Sequence, residues 1–191
     1  RIMETLGKIG RALLLCLSAG SVVSVAAYAQ GVTLRHTVTG EVLDLSFAKS
    51  GPETPAVQAF LATGKNLYRW DKEAIAKGGE HFLTACSGCH GHEAEGKVGP
   101  ALRDDYWTYP KNGKTDQGLF ETMFGGAEAM MGPQYKQLSL DEMLQVVAWI
   151  RAVYVGAVDK ADWMSEEEKR SWKGPWVTFT HAADADERPA Q

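Results

Sequence analysis

Beyond residue 29 this chain is short of cysteine, of apolar runs and of clustered basic charge. It has three cysteines in 191 residues, and only Cys86 and Cys89 lie past that point. A disulfide framework is therefore excluded. A bridge between these two would close too small a loop to constrain the unfolded chain. No later stretch approaches the roughly 20 apolar residues that a membrane-spanning helix needs. The 20 Lys and Arg are outnumbered by 24 Asp and Glu and form no stripe, which argues against a nucleic-acid partner. Aliphatic residues are also sparse from Gly91 to Pro133, where Gly, Pro and Asn abound. A loop region that long is uncommon unless it wraps something large.

What is present begins with a leader. Arg1, Lys8 and Arg11 precede "ALLLCLSAGSVVSVAA", with small residues at Ala27 and Ala29. This pattern reads as a secretory signal over residues 1–29, cleaved after Ala29. Ser18, Gly20, Ser21 and Ser24 break the run, which weakens the rival reading of a retained anchor. Cleavage would remove Cys16 and, with Arg1, Lys8 and Arg11 leaving alongside Glu4, shift the formal charge from −4 to −6. The expected mature protein is exported, acidic and free of the membrane. Residues 30–63 read as an N-terminal extension, 64–155 as the main domain and 156–191 as a C-terminal extension.

Alternation in "VTLRHTVTGEVLDL" on both sides of Thr39-Gly40 predicts a small hairpin. Pro55 can open a short helix through Ala62. From Asp71 a helical pattern with Ile75, Phe82 and Leu83 runs directly into Cys86. One short helix is expected at residues 119–124 within the loop region. The strongest helix is "SLDEMLQVVAWIRAVY". Ser139 and Glu142 form a capping box, Asp141 lies near the positive end and Arg151 in the last turn. Its expected buried stripe is Met143, Val146, Val147, Ile150 and Val153. A second capping box, Ser165 with Glu168, lies in a tail whose Trp163, Trp172, Trp176 and Phe179 are too aromatic for a disordered end.

The stretch Cys86-Ser87-Gly88-Cys89-His90 admits three chemistries. A redox dithiol wants its cysteines at a helix N-terminus after a strand, but here they end a predicted helix. A structural zinc site wants four Cys or His ligands in spaced pairs, and no second pair exists. C-x-x-C-H in an exported chain fits covalent haem attachment. In that reading both sulfurs join the macrocycle, His90 ligates the iron, and Pro100 offers a carbonyl to the second ring nitrogen of His90. A haem would also supply the core that the aliphatic-poor loops lack. For the sixth iron position, His92 is too close along the chain and His81 lies on the attachment helix. His36 and His181 lie in the extensions. Met130 and Met131, framed in "GGAEAMMGP", are the better candidates, and His/Met ligation raises the reduction potential.

"CSGCHGH", "EGKVGPAL", "YWTYP", "GLFETMFGGAEAMMGP" and "LSLDEMLQVVAWIRAVY" together resemble the cytochrome c-L family, most densely from Gly64 to Trp172. The resemblance implies a mainly α, cytochrome c-like helical core around one covalent haem c, with the entering helix crossing the C-terminal one. Gly78, Gly79 and Phe82 would then meet Trp149. It implies thioethers at Cys86 and Cys89, His90 as proximal ligand and Met131, just before Gly-Pro, as the distal one. Some members carry a calcium ion near the haem, for which this sequence shows no ligand set. The implied function is a periplasmic one-electron carrier rather than an enzyme. It would accept electrons from a pyrroloquinoline quinone-dependent methanol dehydrogenase and pass them to a downstream cytochrome or oxidase. The alternatives are a haem enzyme or gas-sensing domain, or a carrier serving a different quinoprotein dehydrogenase. Glu93, Glu95, Asp104 and Asp105 could form an acidic docking patch, and Glu166, Glu167 and Glu168 a second one.

Overall fold

The computed structural model describes residues 31–179. The leader, His181 and the last residues of the tail lie outside the described residues.

Seven α-helices appear among the described residues: α1 (Pro55–Thr63), α2 (Lys72–Ala85), α3 (Ser87–His90), α4 (Pro110–Gly113), α5 (Asp116–Gly125), α6 (Leu140–Ala152) and α7 (Glu166–Ser171). Local chemistry sets most starts. Thr54, Asp71, Thr115, Ser139 and Ser165 each accept a backbone N–H from the first turn of the helix that follows. Both capping boxes form: Ser139 N donates to Glu142 Oε2 at 2.7 Å, and Ser165 N to Glu168 Oε2 at 2.6 Å. The expected hairpin reduces to one antiparallel bridge, Arg35 with Val42, and no strand forms among the described residues. A lone two-stranded ribbon is marginal. Leu43 N donates to Leu34 O at 3.0 Å and His36 N to Glu41 O at 2.8 Å beside that bridge, while the two leucine side chains pack onto the helical core.

The core is the crossing of α2 and α6. A Cβ on Gly78 would run into the Gln145 carbonyl, and one on Gly79 would lie 2.8 Å from Trp149 Nε1. Glycine is therefore required for the two backbones to approach this closely. One turn on, the Phe82 ring lies 4.3 Å from that of Trp149, centroid to centroid. Phe60 of α1 joins the same core against Phe120 of α5, at 4.7 Å. The expected stripe of α6 is buried, but so are Leu144, Gln145, Ala148, Trp149 and Arg151. The helix has no solvent face over most of its length, because loops and the tail close over the side that amphipathic patterning leaves polar.

The tail packs as a second, smaller core of Tyr154, Ala161, Trp163 and Met164, joined by Trp70 and Trp172. Its last described turn returns to α6, where Trp176 N donates to the Ala152 carbonyl at 2.8 Å. A helix-end acceptor is thereby satisfied.

Candidate functional site

α2 delivers the cysteines. It ends at Ala85, and α3 adds one turn in which His90 N donates to Cys86 O at 3.0 Å. Gly91 (φ +81°) then stops the helix, and the chain folds back so that Gly96 N reaches His90 O at 2.8 Å and Gly99 N reaches Cys89 O at 2.8 Å. This return presses Gly99 against the imidazole, where a Cβ would lie 2.8 Å from His90 Cε1. It also brings the Pro100 carbonyl to 2.8 Å from His90 Nδ1. A carbonyl can only accept, so Nδ1 carries a proton, and in the neutral imidazole the lone pair then lies on Nε2. His90 is buried, and Cys89 is exposed.

The methionines come from a second loop. Gly126 (φ +83°) opens it, and Ala127 N closes on Met131 O at 2.9 Å, where a Gly126 Cβ would lie 2.7 Å from that oxygen. Glu128 N donates to the Tyr109 hydroxyl at 3.1 Å, and Gln134 N to Met123 O at 3.0 Å. The loop is thus tied at both ends. It separates the two methionines, for Met130 is 76% exposed while Met131 is half-buried.

Both loops face one cavity of about 310 Å³. Cys86, Cys89, His90, Pro100, Met130 and Met131 all line it, with Phe82, Leu119, Met123, Val146 and Ile150 contributed by α2, α5 and α6. Trp107, Tyr109, Asn112 and Gly113 line it as well. Two sulfurs fit for covalent attachment, one imidazole nitrogen held as a lone pair, and a thioether in an apolar chamber fit a haem c. The other two chemistries fit poorly. Burial, and then the nearby Cys89, push the Cys86 thiol up to about 12, the opposite of an activated thiolate. No group of three His, Cys, Asp or Glu comes together to hold a metal ion among the described residues.

The "YWTYP" stretch puts Trp107 and Tyr109 in the cavity wall, a role its residue types alone do not reveal. Arg151 lies in the last turn of α6 as expected, with its side chain 1% exposed and bonded to Asp116. The signal was available: Arg151 stands four residues after Val147, on the apolar stripe. The acidic patch is also altered. Glu93 pairs with Arg103 at 2.9 Å and Asp105 with Lys160 at 2.8 Å. His36 is half-buried and turned inward on its own loop, with Nδ1 accepting from Val38 N at 3.1 Å.

The sequence profile of the family described as cytochrome c oxidase, cbb3-type, subunit III matches residues 73–150. The cytochrome c-L of Methylorubrum extorquens is 53% identical over 171 residues, 86% of each chain. Among solved structures, cytochrome cL of Methylophaga aminisulfidivorans superposes with a TM-score of 0.73 at 60% identity, covering 77% of this chain and 97% of that one. Cytochrome cL of Hyphomicrobium denitrificans gives 0.70 at 53% identity, covering 75% and 86%.

Proposed function

Since this chain belongs to the cytochrome c-L family and is a c-type electron carrier rather than an enzyme, we propose that it carries single electrons from a methanol dehydrogenase to a downstream cytochrome or oxidase in the periplasm. The observation that carries this reading is one apolar cavity lined by Cys86, Cys89, His90 and Met131, with His90 Nδ1 at 2.8 Å from the Pro100 carbonyl. When bound, the haem supplies Fe(III)/Fe(II) exchange. Cys86 and Cys89 would hold it covalently, and His90 and Met131 would ligate its iron. Met131 is preferred to Met130 because its side chain is the less exposed and its carbonyl closes the Gly126 turn.

Each residue has a task in keeping the site ready for electron exchange alone. The Pro100 carbonyl fixes the His90 tautomer and ring orientation. Gly99 lets the loop lie flat on that ring. Phe82, Leu119, Val146 and Ile150 exclude water, so little solvent must reorganise when charge changes. With both His90 and Met131 on the iron, no position would be left open for a substrate.

Access is through the edge carrying Cys89, which is exposed together with Val98 and Met130. A small apolar rim suits a weak, transient contact, which the donor's chemistry requires. A quinol releases two electrons, so two oxidised carriers must dock and leave in turn. With Glu93 and Asp105 paired to Arg103 and Lys160, long-range steering falls mainly to Glu95 and Asp104. The leader over residues 1–29 directs export, and no helix among the described residues is long and apolar enough to cross a membrane. Calcium has no placed ligands in this reading.

Stopped-flow mixing of the oxidised holoprotein with purified calcium- and lanthanide-containing methanol dehydrogenases tests the partner. Fast second-order reduction by one of them, slowing as salt rises, is the expected result. Reduction no faster than by an unrelated quinoprotein dehydrogenase would remove the partner and leave the carrier.

A further inference from the structure

We infer that Arg151 is a buried charge that raises the reduction potential of the bound haem, acting through the Trp107 indole that walls the cavity. The inference rests on the haem reading above. Arg151 follows Ile150, whose side chain lines the cavity. Its guanidinium carbon lies 5.6 Å from the Trp107 ring centroid and 4.8 Å from that of Trp163, so the cation is held between two indoles. Gly113 packs on Trp107, so close that a Cβ there would strike the ring.

The charge is incompletely neutralised where it sits. Nε donates to Asp116 Oδ1 at 3.0 Å, but the two terminal guanidinium nitrogens are buried without a hydrogen-bond partner. Asp116 is itself shared, because Arg69 reaches its other oxygen at 2.9 Å. One carboxylate with a 2% exposed side chain therefore serves two guanidiniums. The next anion, Glu168, lies 3.5 Å from Arg69 with 26% of its side chain exposed. Solvent screens that outer pair more than the inner one. An unscreened cation behind an apolar wall favours whichever redox state carries one more electron. Burial and local charge are two of the levers a protein has on a haem potential.

A purely structural clamp makes a different prediction, and the sign of the shift separates the two. Removing Arg151 and removing its counter-charge both loosen the same contact, so a packing role moves the potential the same way in both variants. A charge role moves them oppositely. Spectroelectrochemical titration is done on wild-type, Arg151→Met, Arg151→Lys and Asp116→Asn holoproteins, after haem retention on denaturing gels. Absence of covalent haem in the wild type would overturn the haem reading and this inference with it, whereas a haem-bearing wild type whose variants fail the test overturns this inference alone.

The expected result is a reduction equilibrium about tenfold less favourable in Arg151→Met, which is about 59 mV for one electron. Asp116→Asn should be more favourable than wild type and Arg151→Lys within about threefold of it. Shifts of the same sign in Arg151→Met and Asp116→Asn, or shifts below about twofold in both, overturn the inference. If Arg151→Met yields no holoprotein, the other two variants decide. A rise in Asp116→Asn with little change in Arg151→Lys supports it, and any other combination overturns it.

Discussion

From Gly91 to Pro133 the chain surrounds a cavity of about 310 Å³ that it does not fill. From Tyr154 to Phe179 it packs its aromatic side chains around Trp70. There Trp163 and Trp172 lie 6.1 and 6.0 Å from Trp70, Trp176 stacks on Trp70 at 4.9 Å, and the Trp70 indole N–H donates to Glu168 at 2.6 Å. The first region is shaped by backbone: Gly91, Gly96 and Gly126 take positive φ, and carbonyls bond back across the loops. The second is shaped by side chains with little glycine. A loop region poor in aliphatics can hold its form only around a partner that brings apolar surface of its own. A tail rich in indoles needs none, since each buried aromatic contributes a large area. The two regions meet at Arg151, which touches Trp107 of one and Trp163 of the other.

The largest effect expected is on the cavity region alone. Replacing Cys86 and Cys89 with alanine should abolish peroxidase-stainable haem on denaturing gels. Limited proteolysis should then cut within residues 91–133 while the tryptophan tail stays protected. Equal cutting in both regions would erase the contrast between them.

Next in size is a change inside the cavity. Met131→Ala should make reduction at least tenfold less favourable, about 59 mV for one electron, and open the iron to added ligands. Met130→Ala should do neither, being 76% exposed. A spectral change in the Met130 variant instead would move the axial ligand by one residue.

The tail is tested by Trp172→Ala. Full burial of a tryptophan is worth about 3–5 kcal/mol on truncation. Trp172 is half-buried, so a loss of about 2 kcal/mol is expected, or roughly 4–8 °C in Tm. The visible spectrum of the haem should not change. A spectral shift would show that the tail supports the cavity more closely than the packing suggests.

The smallest effect is on pH dependence. Burial pushes the Glu168 carboxyl up, but hydrogen bonds from Ser165 and Trp70, with Arg69 nearby, outweigh it and leave the group below its ordinary value. A carboxylate depressed in the folded state adds stability above its unfolded pKa near 4.5, and that stability is lost as pH falls through the lower folded value. Tryptophan fluorescence should therefore report loosening of the tail below about pH 4.5, worth under about 1 kcal/mol for a partly exposed pair. Glu168→Gln should lower stability at neutral pH and flatten that dependence. An unchanged acid profile in the variant would take Glu168 out of the account.

Much of the site is written in short-range spacing. C-x-x-C-H after a helical pattern, Pro100 ten residues on from His90, and the Ser139–Glu142 box all depend on groups close along the chain. Helix geometry and turn chemistry place such groups with little help from elsewhere, and the structure has the expected helix starts and the expected crossing at Gly78 and Gly79. The hairpin shrinks to a single bridge for the opposite reason: alternation shows which residues turn inward, not how far a partner strand extends.

What the chain alone determined, then, is the attachment motif, the two crossing helices and the need for something to fill the loops between them. Tertiary structure alone decided that the buried Arg151 meets Asp116, Trp107 and Trp163. It also paired Glu93 and Asp105 with cations and exposed Met130 while turning Met131 inward. The Arg151–Asp116 pair is 35 residues apart in sequence, and Trp70 meets Glu168 across 98. Burial and screening at such positions come from whatever the rest of the fold brings alongside, and no local pattern encodes that.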